Sequence, residues 1–149
     1  RKVKIIISID NSSSMHTEDL QKLFYLFKKK SKQIAEVKVL IHTDAVMQEF
    51  TISHYDDIAN HHDFITAFGC RNADGSTSHR DVFEKIKQMN IPNPEEWLYF
   101  CFSDMYSDIE TFIGKYPIIN RMTPYWIAPA NGSRELNTKI VGGSFIWMP

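Results

Sequence analysis

The sequence predicts an α/β fold in which a mostly parallel sheet carries helices on both faces. Residues 3–9 and 97–102 form apolar runs that are typical of buried strands in such a sheet. Segments with the helical spacing of apolar residues stand between the strand-like runs, as the crossovers of a parallel sheet require. The strand-like segments 37–41 and 46–52 are so close in sequence that this pair must be antiparallel.

The first helix is predicted to begin at Thr17, where a hydroxyl precedes two acidic residues. Its apolar side chains recur at positions 20, 23, 24 and 27, which lie on one helical face. The basic run 28–30 is interpreted as the solvated carboxyl end of this helix rather than as a phosphate-binding patch. Residues 56–68 are predicted to hold a short helical stretch.

Four later elements follow from local patterns. A helix is predicted with Val82, Phe83 and Ile86 facing inward, and it ends before the proline-rich segment 90–94. After the apolar strand, residues 108–114 are predicted to form a short helix and residues 125–128 another strand. The tail over 139–147 is predicted to supply a last, short edge strand.

Length and composition indicate one domain over residues 1–149, because this is the usual size of a single core. The chain opens on Arg1 with a strand almost at once, so we expect it to be a fragment of a longer protein. A net charge of −1 argues against nucleic acid or an anionic membrane as partner. No apolar run in the sequence approaches the roughly 18 residues that span a bilayer.

The two cysteines, Cys70 and Cys101, do not form a metal-binding pattern. Cys101 lies within an apolar run and is predicted to be a small buried side chain. A disulfide between the two stays open as an alternative, but the usage favours a reduced, cytoplasmic protein. The six histidines show no zinc-binding spacing, so structural zinc is not expected.

Side chains that can offer oxygen atoms to a metal ion stand in three predicted loops. The first loop carries Asp10, Ser12 and Ser14, the second carries Thr77, and the third carries Asp104 directly after the apolar strand. The carboxyl ends of neighbouring parallel strands meet at one edge of an open sheet, where ligands bind. Because hard oxygen ligands suit Mg²⁺ or Mn²⁺, these residues are predicted to hold one such ion.

The order Asp10-x-Ser12-x-Ser14, then Thr77, then Asp104 resembles the metal-ion-dependent adhesion site (MIDAS) of von Willebrand factor A (vWA) domains. The resemblance covers essentially the whole chain. More narrowly, three segments are similar to the vWA-like domain at the carboxyl end of predicted bacterial metallopeptidase-like proteins: 41–46, 75–83 and 102–108. The loops depart from the usual family pattern in lacking two turn glycines, at Ser13 and Met105, and an acid, at Ser78.

The resemblance implies a Rossmann-like three-layer sandwich with strand order 3-2-1-4-5-6 and strand 3 antiparallel. It also implies metal-dependent binding without catalysis, in which an acidic residue of a partner protein completes the coordination of Mg²⁺ or Mn²⁺. Such domains often work with MoxR-type AAA+ ATPases, so an ATPase of this type is an expected partner. Six residues that flank the loops are predicted to form a rim that contacts the partner: Met15, His16, Ser78, His79, Met105 and Tyr106.

Other interpretations of the same residues stay open. Asp10 and Asp104 could serve only as turn residues, and Thr77 could serve only as the N-cap of the helix after it. Asp10, Asp104 and Asp108 could instead belong to a magnesium-dependent nuclease or phosphoesterase of the PIN-like type. The excess of hydroxyls over acids and the lack of basic character favour binding. A receiver-like domain is disfavoured because its late Lys beside the acids is not apparent.

Overall fold

One mixed sheet organises the chain in the computed structural model, which describes residues 2–12, 15–52 and 77–148. Within these residues the sheet has six strands in the order β3-β2-β1-β4-β5-β6. The fold class and strand order are therefore as predicted. The strands are β1 (Val3–Asp10), β2 (Ile34–His42), β3 (Val46–Ile52), β4 (Trp97–Phe102), β5 (Pro124–Ala128) and β6 (Ser144–Trp147).

β1 lies inside the sheet and pairs in parallel with β2 on one side and β4 on the other. The carboxyl ends of these three strands therefore reach the same sheet edge. β3 pairs with β2 in the antiparallel direction, as its short connection requires. In that connection the Thr43 amide donates to the Ala45 carbonyl (3.1 Å), and Thr43 Oγ1 donates to the Asp44 carboxylate (3.3 Å). Asp44 thus shapes the turn between β2 and β3.

The helices lie in the connections between the strands. The first starts at Thr17, as predicted, and contains the basic run 28–30 at its end. The helical stretch predicted over 56–68 lies outside the described residues. The helices of the described ranges are α1 (Thr17–Lys30), α2 (Arg80–Gln88), α3 (Ile109–Phe112), α4 (Pro117–Arg121) and α5 (Thr138–Val141), with short 3₁₀ turns at Ser31–Gln33, Pro94–Glu96 and Ile113–Lys115.

The edge strand predicted within the tail is shorter than the segment 139–147. Residues Thr138–Val141 are helical, and Ser144–Trp147 alone join the sheet beside β5. Gly142 and Gly143 separate the two elements with φ values of +66° and +73°, which L side chains rarely adopt. A Cβ at Gly143 would collide with the Pro124 carbonyl oxygen. The glycine pair therefore ends the helix and lets β6 approach β5.

Apolar side chains pack on both faces of the sheet. Odd-numbered β1 residues such as Ile5 and Ile7 face α1 and its Leu20, whereas Ile6 faces α2 on the other side. Burial on both faces explains why β1 reads as a continuous apolar run. Cys101 is buried, as predicted, and its thiol is free. In the described ranges no helix has both the length and the apolar character needed to cross a bilayer.

Candidate metal-binding site

Asp10, the last residue of β1, is fully buried (0% exposed). Its Oδ1 accepts a hydrogen bond from the Ser12 amide at 2.9 Å, which makes the turn expected of an aspartate here. Its Oδ2 accepts from Ser103 Oγ at 2.7 Å. Hydrogen bonds to a charged acceptor are stronger than neutral ones. Both carboxylate oxygens are therefore held in fixed positions at the sheet edge.

The loop after β4 carries Ser103 and Asp104, both of which are buried. Because β1 and β4 are neighbours, this loop lies beside Asp10. Ser103 Oγ accepts from the Met105 amide at 3.0 Å while it donates to Asp10. Asp104 Oδ1 accepts from the Tyr106 amide at 3.2 Å, so Asp104 also forms the turn that was its alternative interpretation. The turns place the two carboxylates at adjacent strand ends, where they can also serve a metal.

Met105 stands where the family pattern has a glycine, and it adopts the conformation that glycine favours, with φ +66°. The segment after β5 helps to hold this loop, since the Ser133 amide donates to the Asp104 carbonyl at 2.7 Å. A Cβ on Gly132 would lie only 3.0 Å from the same oxygen, so the approach depends on that glycine. The loop therefore holds a left-handed backbone conformation at Met105 without a glycine there.

The second loop reaches this edge through the turn between β2 and β3. The Asn11 amide donates to the His42 carbonyl at 2.7 Å, and the Ser78 amide donates to the Thr43 carbonyl at 3.0 Å. These bonds place Ser78 and its half-buried neighbour Thr77 on the same side of the sheet as the first loop. The described parts of the three loops therefore lie at the same edge of the sheet.

The N-cap of α2 is His79 rather than Thr77, so the interpretation of Thr77 as a helix cap is wrong. The Asp108 carboxylate accepts from the His79 amide at 2.8 Å. Thr77 thus has no capping role that would explain its hydroxyl. Ser14, the remaining predicted ligand, lies outside the described residues.

The predicted rim divides into buried and accessible residues. Met15, His79 and Met105 are buried at 1%, 0% and 3% exposure, so their side chains do not face a partner on the surface. Met15 and Met105 belong to the apolar cores of the two sheet faces, which is why they turn inward. The prediction of a partner-facing rim is therefore reduced to the accessible residues: His16, Ser78 and Tyr106.

Two buried histidines lie beneath the second loop. The rings of His42 and His79 meet edge to face, with centroids 4.7 Å apart. Burial lowers the pKa of His42 although the Asp10 carboxylate opposes it, and burial lowers the pKa of His79 well below its usual value. His79 Nε2 lies 3.3 Å from the sulfur of Cys101, whose pKa burial raises to about 12. A neutral, hydrogen-bonded cluster therefore supports the loop.

The site residues suit a hard divalent cation. Within the described residues no lysine or arginine forms an ion pair with the buried Asp10 carboxylate. Buried carboxylates usually have a cationic partner or a metal. The described ranges also contain no group of three His, Cys, Asp or Glu side chains able to hold a metal. An ion here would therefore need hydroxyl ligands, for which Ser12 and Thr77 are the candidates among the described residues.

Sequence reasoning missed two contributors to this site. The sequence predicts Ser103 to lie in an oxygen-bearing loop, but its bond to Asp10 spans 93 residues and depends on strand order. The sequence indicates Asp108 only as a candidate catalytic acid, whereas in the structure it binds the second loop. For Ser103, the one signal in the sequence is its position beside Asp104, directly after a buried strand.

Solved structures of similar fold cover nearly the whole chain. BatB from Bacteroides thetaiotaomicron matches 98% of this chain and 90% of its own, with 14% identity and a TM-score of 0.64. An aerotolerance-related membrane protein from Bacteroides fragilis matches 99% and 92%, with 13% identity and a TM-score of 0.65. The VWA domain of SpRpn10 matches 100% and 89%, with 14% identity and a TM-score of 0.58.

The chain has the von Willebrand factor A fold. The vWA fold implied by the motif resemblance is thereby confirmed. No protein-family model and no curated protein matches the sequence. At identities of 13–14% the structural likeness establishes the fold alone.

Proposed function

We propose that this vWA domain is a non-enzymatic protein-interaction module that binds Mg²⁺ or Mn²⁺ and bridges, through the metal, to an acidic residue of a partner. The observation that carries the proposal is the buried Asp10 carboxylate, which has no cationic partner among the described residues. It stands at the sheet edge where the described parts of three oxygen-bearing loops lie. The proposed ligands are Asp10, Ser12, Ser14, Thr77 and Asp104.

The residues divide the work at such a site by their charge. Asp10 and Asp104 supply negative charge that retains a dication, while the neutral hydroxyls of Ser12 and Thr77 leave it only partly neutralised. A bound Mg²⁺ would supply the positive charge that attracts an external carboxylate. Because the Ser12 amide and Ser103 Oγ already orient Asp10, its carboxylate needs little reorganisation when the ion enters.

The partner would approach over the accessible rim. Tyr106 is 62% exposed beside Asp104, and His16 is exposed beside the first loop. Exposed aromatic side chains are common contact residues in protein interfaces. The motif resemblance suggests a MoxR-type AAA+ ATPase in the cytoplasm as the class of partner.

Asp108 favours binding over hydrolysis at this site. A PIN-like nuclease or phosphoesterase would need further acids to hold its ions and activate water, and Asp108 is the neighbouring candidate. Its Oδ2 accepts from Ser78 Oγ, and its Oδ1 accepts from the His79 amide and from Ser107 Oγ. A carboxylate with these contacts serves the protein structure rather than a second metal.

Calorimetric titration with Mg²⁺ and Mn²⁺ tests the proposal. The wild-type domain should bind one ion, and Ser12→Ala or Asp104→Asn should abolish measurable binding because each removes a proposed ligand. Ser144→Ala, at an exposed serine of β6, is the matched control and should bind as the wild type does. A wild-type domain that binds neither ion contradicts the proposal. So does metal-dependent cleavage of nucleic acid that disappears in Asp104→Asn.

A further inference from the structure

Asp108 occupies the N-cap position of α3, where an aspartate usually binds the first amides of its own helix. Its side chain makes no cap hydrogen bond to α3. The carboxylate instead binds a loop 30 residues earlier, where Oδ2 accepts from Ser78 Oγ at 2.7 Å. Its Oδ1 accepts from the His79 amide at 2.8 Å. Capping of α3 therefore does not explain this residue.

Three hydrogen bonds hold Ser78 in place. Its amide donates to the Thr43 carbonyl at 3.0 Å, and its Oγ accepts from the Arg80 amide at 3.2 Å while donating to Asp108. Thr77 is the residue directly before it. The bonds of Ser78 therefore fix the backbone on one side of Thr77, and the bond to the Asp108 carboxylate is charge-assisted.

We propose that Asp108 is a positioning residue of the metal site, which holds Ser78, and through it the ligand Thr77, against the loop that carries Asp104. The inference rests on the proposed function, since it assigns a role at the same site. Asp104 and Asp108 lie in one loop after β4. That loop thus supplies a carboxylate ligand and also anchors the hydroxyl ligand opposite it. Residues that orient metal ligands typically change metal affinity by 10–100-fold when removed.

Magnesium titration of Asp108→Ala tests this role. We expect the affinity to fall about 10–100-fold, the range for lost supporting contacts. Asp81→Ala is the matched control, because it removes an equally charged side chain from α2 that is partly exposed and pairs with Arg80 (3.5 Å). Its affinity should stay at the wild-type value. Ser78→Ala should weaken binding as well, and the double variant should lose less than the sum of the two single losses, since both variants remove the same Ser78–Asp108 bond.

Amide exchange of the metal-free protein separates positioning from general destabilisation. In Asp108→Ala the His79 amide should exchange faster, while amides in β1 keep their wild-type rates. Asp108→Asn retains an acceptor for the His79 amide and should recover part of the magnesium affinity. If Asp108→Ala does not fold, Asp108→Asn and Ser78→Ala give the same comparison.

The possible outcomes distinguish the two proposals. Wild-type affinity in Asp108→Ala, with magnesium bound by the wild-type protein, overturns the positioning role and leaves the proposed function standing. Additive losses in the double variant also overturn it. A wild-type protein that binds no magnesium overturns the proposed function and the positioning role together.

Discussion

The two halves of the candidate site are built in different ways. The carboxylate half consists of Asp10, Ser103 and Asp104, which are at most 1% exposed and lie at the ends of the adjacent strands β1 and β4. The hydroxyl half consists of Thr77 and Ser78, which are half-buried and precede α2. The first half is part of the sheet edge itself. The second half is attached to that edge by two hydrogen bonds, from the Ser78 amide to the Thr43 carbonyl and from Ser78 Oγ to the Asp108 carboxylate.

The difference shows where each kind of ligand can be supported. A buried carboxylate is costly unless it is hydrogen-bonded, so its place must be fixed by the most rigid part of the fold. A neutral hydroxyl carries no such cost and can stand on a loop that needs only local hydrogen bonds. We therefore expect changes in the carboxylate half to affect stability and metal affinity together, and changes in the hydroxyl half to affect mainly the affinity.

The largest effect is expected for Ser103→Ala in the carboxylate half. The change removes the donor to Asp10 Oδ2 and the acceptor for the Met105 amide, both of which are buried. Leaving such groups without partners costs about 1–3 kcal/mol. Urea unfolding in EDTA should show this loss of free energy of unfolding, and magnesium affinity should fall as well. A wild-type unfolding midpoint for Ser103→Ala would contradict the rigidity assigned to this half.

A smaller effect on stability is expected for Ser78→Ala in the hydroxyl half. The Ser78 hydroxyl binds Asp108 and the Arg80 amide, but Ser78 is only half-buried, so water can partly replace these bonds when the hydroxyl is removed. The same urea titration in EDTA should give a loss below that of Ser103→Ala, although magnesium affinity falls. Equal or larger destabilisation by Ser78→Ala would remove the distinction between the halves.

The smallest effect is expected from mild acidification, and it concerns the histidines beneath the hydroxyl half. Burial lowers the pKa of His42 and His79 in the folded protein, so the unfolded chain takes up protons first as pH falls. The carboxylates of Asp10 and Asp108 face His42 and raise its pKa, which opposes the effect of burial. His42 in turn lowers the pKa of His79 further. The contribution of these two histidines to the free energy of unfolding is therefore fully present above a pH of about 6.5 and declines as the pH falls below it.

Urea midpoints measured at about pH 7.5 and about pH 5.5 check this sign, and the midpoint should be lower at the acidic value. His79→Gln should reduce the difference between the two midpoints. His16→Gln, at an exposed histidine, is the control and should leave the difference unchanged. A midpoint that rises on acidification would contradict the buried, neutral state of the pair.

Much of the fold could be predicted because local patterns and chain connectivity agree. The bounds of β3 and β4 were predicted at Val46–Ile52 and Trp97–Phe102 because alternation and apolar runs mark them directly. The tail was harder, since Thr138–Val141 is a single helical turn whose residues also suit a strand. Only the positive φ of Gly142 and Gly143 separates helix from strand there.

The candidate site could be predicted as a set of loops but not as a set of contacts. Asp10 and Asp104 could be predicted because they lie at the ends of strands, and the topology determines where those strand ends lie. The burial of Met15 and Met105 could not be predicted, since it depends on which sheet face each side chain meets. The hydrogen-bond partner of Asp108 could not be predicted either, because the sequence pattern is equally compatible with Asp108 capping its own helix.

Paramagnetic broadening by Mn²⁺ in the amide spectrum is the sharpest test of a shared metal site, because it reports which loops surround one ion. At substoichiometric Mn²⁺ we expect selective loss of the signals of Ser12, Ser78 and Asp104 from all three loops, with reversal by EDTA. Signals of the exposed strand β6 should persist. Broadening that is absent, or that spares the Ser78 loop while affecting β6, would contradict a shared metal site at this sheet edge.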